Sequence, residues 1–97
     1  MNKHVDVFGY YKDGIINMGK AVFFTVDEEW NLEMITLTEF GDDFIDFLYD
    51  ESIYELNVSF FDISNGEGFK GRVTSKFNEK LPLLKGIGGL EDCNNYF

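Results

Sequence analysis

The chain has 97 residues, 18 Asp and Glu against 8 Lys and Arg, and a formal charge of −10. That length is expected to form one domain, 1–97, with a single core. One cysteine excludes an internal disulfide, and the acidic balance excludes DNA, RNA and anionic membranes as direct partners.

Eleven Phe, five Tyr and one Trp supply large rings for the core. Cys93, the single cysteine, fits a reducing cytoplasm. The N-terminal MNKHVDVFGYY alternates apolar and polar residues, which is not the pattern of a signal peptide. No segment approaches the roughly 18 apolar residues of a membrane span. There is no CxxC and no Cys/His cluster, so neither a zinc site nor a cofactor is expected. The charge is unevenly placed: residues 21–69 hold thirteen acids and no Lys or Arg.

In chain order, His4 to Tyr11 alternates around Val5 and Val7 and reads as a strand. Asp13-Gly14 signals a hairpin. Ile15 to Val26 follows, with Ala21 to Val26 the clearest strand segment and Gly19 marking a bulge or bend. Asp27-Glu28-Glu29 reads as a charged turn. Trp30 to Leu37 is a third strand, with Trp30, Leu32 and Met34 on one face.

Thr36 to Glu51, TLTEFGDDFIDFLYDE, predicts an amphipathic helix. Glu39, Asp42, Asp43, Asp46 and Asp50 share an arc of about 100°. Leu37, Phe40, Phe44, Ile45, Phe47, Leu48 and Tyr49 fill the rest. Thr36 and Glu39 have capping-box spacing, and Gly41 falls on the apolar side, where a sheet can approach closely. Asp50 and Glu51 stand where the helix dipole favours a cation. Asp42/Asp46 and Asp46/Asp50 repel at four-residue spacing, costing about 0.2–0.5 kcal/mol each.

Ile53 to Ile63 predicts a fourth strand, Ser64 to Gly68 a hairpin loop, and Phe69 to Phe77 a fifth strand. In the fifth, Lys70, Arg72, Thr74 and Lys76 face outward, across from Glu55. After Asn78 the pattern weakens: Pro82 limits regular structure, Gly86-Ile87-Gly88-Gly89 reads as loose, and a flexible tail is expected from about residue 86. Glu91 to Phe97 reads as a short helix or a loose end. The fold expected is α+β: an antiparallel sheet of about five strands in βββαββ order, with one amphipathic helix packed on one face.

Little in this chain resembles catalytic machinery. Paired carboxylates perform glycoside hydrolysis across a scissile bond, whereas these acids line one solvent-facing helix face. Their spacing is not that of an EF-hand loop. His4 has no neighbouring nucleophile motif, and the glycines at 86–89 lack phosphate-loop spacing. No enzyme activity is expected.

A solvated face kept only for solubility normally intersperses both signs. An unbroken acidic row instead suits a basic protein surface. Glu39 to Asp50 spans roughly 17 Å of helix, at about 1.5 Å per residue. Five carboxylates over that length approach the phosphate density of one DNA strand, one per about 3.4 Å. In size, charge and lack of catalytic motifs the chain resembles the small acidic phage-type inhibitors, the anti-restriction and anti-CRISPR proteins that mimic DNA. That resemblance implies a non-enzymatic, cytoplasmic inhibitor that blocks the cationic groove of a nuclease or CRISPR effector. The expected contacts are Glu39, Asp42, Asp43, Asp46 and Asp50, assisted by Asp27, Glu28, Glu29 and Glu33, with Trp30 and Tyr49 as aromatic hot spots. Two other readings stay open: an immunity protein neutralising a basic toxin, and a structural or oligomeric scaffold subunit.

Overall fold

The computed structural model of the chain describes residues 2–93. Six strands and one helix follow in the order β1 (Lys3–Tyr11), β2 (Gly14–Val26), β3 (Glu29–Leu37), α1 (Glu39–Asp50), β4 (Glu55–Asp62), β5 (Gly68–Thr74) and β6 (Leu83–Asp92). The strands close into a barrel in the order β1-β2-β3-β6-β5-β4. All neighbours are antiparallel. Two three-stranded meanders, β1–β3 and β4–β6, are joined along two seams, β1 to β4 and β3 to β6. The run β4-β1-β2-β3 is a Greek key.

This corrects the expectation of an open five-stranded sheet with a helix on one face. The missing strand is β6, in the stretch expected to be loose from residue 86. Its Gly86 makes room for a ring: a Cβ there would lie 2.2 Å from Cε2 of Trp30, and one on Gly71 would lie 2.8 Å from Cζ2. Trp30 therefore lies inside the barrel, 6% exposed, and its indole N–H donates to the Gly88 carbonyl at 2.9 Å. A glycine in a strand often marks such a close approach, and here that approach admits the closing strand. Of the segment Glu91 to Phe97, Glu91 and Asp92 end β6, and 94–97 lie outside the described residues.

Alternation along each strand fills the interior. Val5 and Val7, Ala21, Leu32 and Met34, Leu56, Val58 and Phe60, Val73 and Leu84 are all buried with Trp30. Phe60 gathers Phe23, Trp30 and Phe69 around it, with ring centroids 5.3, 5.7 and 5.8 Å away. Such ring clusters add about 0.5–1.5 kcal/mol per pair beyond the area they bury. The seam between β3 and β6 is short, joining Asn31, Leu32 and Glu33 to Lys85, Leu84 and Leu83.

The two mouths of the barrel are built differently. At one, β2 turns into β3 through Asp27 and Glu28, both with positive φ (51° and 68°), the conformation of a two-residue type I′ hairpin. Beside it, Asp62 ends β4. Its carboxylate accepts the Ser64 amide at 2.8 Å and the Ser64 hydroxyl at 2.6 Å, and Lys3 Nζ stands 3.8 Å away. The Ser64 bonds, and then Lys3, hold its pKa below the usual carboxylate value. At the other mouth lies α1. It joins β3 to β4, which sit three strands apart whichever way the ring is followed. The connection must therefore cross the opening, and α1 caps it with Phe44, Ile45 and Leu48 in the core.

Candidate functional site

The helix owes its seat to an irregularity in β2. Opposite Val7 and Phe8, β2 carries Gly19 and Asn17, so Met18 is an extra residue. This is the bulge signalled by Gly19. The bulge presents backbone carbonyls to the helix start. Thr38 N–H donates to Met18 O at 3.1 Å, and Thr38 Oγ1 donates to Asn17 O. Thr38 Oγ1 in turn accepts the Gly41 amide at 2.9 Å, which makes Thr38 the N-cap. The Thr36/Glu39 capping box is thereby corrected: Thr36 belongs to β3, where it pairs with Lys20, and Glu39 is the first helical residue.

Gly41 lies flat against the bulge. A Cβ at this position would fall 2.2 Å from Met18 O, so only a glycine lets the helix come this close. At the far end, Ser52 takes positive φ (55°). Its N–H donates to Tyr49 O, and Ile53 N–H donates to Leu48 O at 2.9 Å, the pair of bonds that defines a Schellman stop. Both ends are thus tied to the barrel or closed on themselves, which holds the helix at one rotation about its axis.

That rotation decides which side chains meet solvent. Buried Gly41, Phe44, Ile45 and Leu48 take up an arc of about 100°. Asp42, Asp46, Glu39, Asp50 and Asp43 take up another arc of about 100°, on the opposite side. Asp42 is half-buried and the other four are exposed. Among the described residues the ion pairs are Lys3–Asp62, Lys20–Asp6, Lys70–Glu91 and Arg72–Glu55, and none reaches the helix. The last of these is the cross-strand pair expected for Glu55. The last helical turn carries no basic residue. Among the described residues, the carboxylates thus repel one another with no cation in ion-pair contact, although Asp50 shares a groove with Lys76 and Lys85.

Apolar shoulders flank the acidic ridge, and the exposed rings among them depart from the broad apolar face expected of the sequence. Phe40 is 75% exposed, and Phe47, seven residues on, is partly exposed with its ring 5.1 Å from Tyr11. Between Phe40, Phe44 and Asp43 of the helix and Ile15, Ile16 and Asn17 of β2 runs a groove of about 520 Å³. On the opposite flank Tyr49 is exposed. It borders a wider groove of about 990 Å³, into which Tyr54, Lys76, Glu79 and Lys85 also project.

Not every residue expected to act with the helix is near it. Trp30 is inside the barrel and cannot serve as a rim contact. Asp27, Glu28 and Glu29 are exposed at the other mouth, separated from the helix end by the length of β3, about 27 Å at strand rise. Glu33 is exposed midway, paired with Val22 on one side and Leu83 on the other. The acidic stretch that is continuous in sequence is therefore three separate surfaces. His4 is exposed on β1, and Cys93 donates its amide to Gly68 O. Among the described residues, no three His, Cys, Asp or Glu side chains converge as metal ligands, and no helix is long and apolar enough to cross a membrane.

The groove beside Phe40 is the feature that the residue pattern missed. Its signal was present: Phe40 sits at the edge of the apolar arc, next to Glu39. Ile15, its partner across the groove, became visible only once β2 and α1 were placed together. No known protein family, characterised protein or solved structure matches this chain.

Proposed function

We propose that the protein is a non-enzymatic acidic inhibitor that occupies the cationic nucleic-acid groove of a nuclease or CRISPR effector. The contact surface is the α1 ridge of Glu39, Asp42, Asp43, Asp46 and Asp50. One observation carries the reading: the ridge faces away from the barrel and has no cation of its own chain in ion-pair range among the described residues. A Lys/Arg-lined groove supplies those cations, and long-range attraction speeds the encounter. The N-terminus of the helix is bonded to the β2 bulge and Phe44, Ile45 and Leu48 are set in the core, so the row is presented with little ordering cost on binding. Asp27, Glu28 and Glu29 are too far along the barrel to extend the same row.

Capture on the immobilised protein from a host lysate, compared with the Asp42→Lys, Asp43→Lys, Asp46→Lys triple variant, tests this. A nucleic-acid-binding protein should be retained at low salt and released by high salt or by competing duplex DNA. The triple variant should not retain it. Retention that survives both the reversal and high salt would sink the reading. Capture of a basic toxin that does not bind nucleic acid would replace it with an immunity role.

A further inference from the structure

Electrostatics of this kind gives encounter rate and register more readily than affinity, because exposed charge pairs contribute little each. Tight partners usually add an apolar anchor seated in a desolvated pocket and ringed by polar contacts. The ridge has such a place beside it.

Phe40 is the most exposed of the large apolar side chains, at 75%. It stands on the second residue of α1, where folding asks nothing of it, since Phe44, Ile45 and Leu48 already fill the barrel mouth. Ile15, 45% exposed, rises from the start of β2 on the other side of the groove. Ile16 and Phe44 line the groove, and Asp43 and Asn17 border it. Glu39 precedes Phe40, and Asp43 and Asp46 continue the carboxylate row along the same helix. Lys12 stands 5.5 Å from the Tyr11 ring at the β1–β2 turn. The result is an open apolar groove with the Asp43 carboxylate at its rim and the rest of the acidic row beyond it on the same helix.

We propose that the groove between Phe40 and Ile15 is the anchor point for the partner, and that the occupant is an apolar side chain flanked by Lys or Arg on a basic protein segment. Charge complementarity selects this occupant. Nucleic acid would bring phosphates against Asp43 and the adjoining acidic row, and a second copy of this chain would bring its own net charge of −10. The inference rests on the acidic-ridge reading and adds to it: the ridge attracts, and the groove decides which basic segment stays.

Two labelled synthetic peptides separate the two ideas. Both carry the same Lys residues at helical spacing. One has leucines on its apolar face, and the other has serines in their place. Fluorescence anisotropy at low salt should show the leucine peptide binding about tenfold tighter, the effect of burying one such side chain. Phe40→Ser, at an exposed position that leaves the core intact, should erase that advantage while keeping the serine peptide's affinity. Ile15→Ser should do the same in part. Backbone amide shifts on adding the leucine peptide should centre on Ile15, Ile16, Phe40 and Phe44. Equal, salt-sensitive binding of both peptides would overturn the anchor and leave the ridge reading standing, as would a leucine advantage untouched by Phe40→Ser. Failure of both peptides to bind, or tighter binding of duplex DNA, would overturn the anchor and the ridge together.

Discussion

At the mouth of the barrel closed by the β2–β3 and β4–β5 turns, the Asp62 carboxylate is used up by the fold. It accepts both the amide and the hydroxyl of Ser64 and has Lys3 beside it. At the opposite mouth Asp46 makes no ion pair among the described residues, lies between Asp42 and Asp50 on the helix face, and points away from the barrel. The same functional group stabilises the chain at one end and opposes it at the other. A carboxylate with internal partners needs no external explanation. A row of carboxylates with none, flanked by exposed aromatics, costs the fold something, and a partner's cations would repay that cost.

The largest effect is expected at Gly41. Helix propensity alone would make Gly41→Ala favourable by about 1 kcal/mol. The Met18 carbonyl, only 2.2 Å from the added Cβ, is backbone held in a bulge and cannot give way cheaply. We expect a net destabilisation of about 1–3 kcal/mol, read from urea unfolding. A stabilised variant would mean that the helix is not seated on the bulge, and the outward aim of the carboxylate row would lose its basis.

Asp46→Lys should have a smaller effect of the opposite sign. It removes two like-charge pairs and places a cation four residues after Asp42. Stability should rise by about 0.5–1 kcal/mol at low salt, and the gain should shrink as salt is added. A loss would show that Asp46, like Asp62, serves the fold.

The smallest effect concerns pH. Because Asp62 has a lower pKa in the folded chain than the usual value, it contributes stability above the ordinary carboxylate range. That contribution is lost as the pH falls through the lowered value. Denaturation midpoints of the native chain and of Asp62→Asn should therefore differ at neutral pH and converge in acid. Curves that stay parallel would remove Asp62 from the comparison.

How much of this was legible in the residues depended on whether the signal was local. The alternation of Val5 and Val7, and of Trp30, Leu32 and Met34, shows on its face which side of each strand is apolar. The bulge at Gly19 and the close approach at Gly41 were also readable, since glycine inside an otherwise regular element asks for a neighbour. β6 was not, because two of its features, Pro82 just before it and the run Gly86 to Gly89, are ordinarily the marks of a loop. Their meaning came from Trp30, more than fifty residues away, whose ring needs the space that Gly86 leaves. The helix cap lies two residues beyond the Thr36 that spacing favours, for a related reason. Thr36 and Thr38 are both chemically able to cap, and only the position of Asn17 and Met18 on the neighbouring strand chooses Thr38.

Charge and periodicity are properties of the string, so the residues alone dictate an acidic helix face without basic residues. Tertiary structure alone decided which of its acids share a surface. Closing the barrel sent Asp27, Glu28 and Glu29 to one mouth and Glu39 to Asp50 to the other, since an antiparallel strand the length of β3 separates its two ends by its full rise. Closure also drew Trp30 inside, against Phe60 and into the space left by Gly71 and Gly86, and left Phe40 outside.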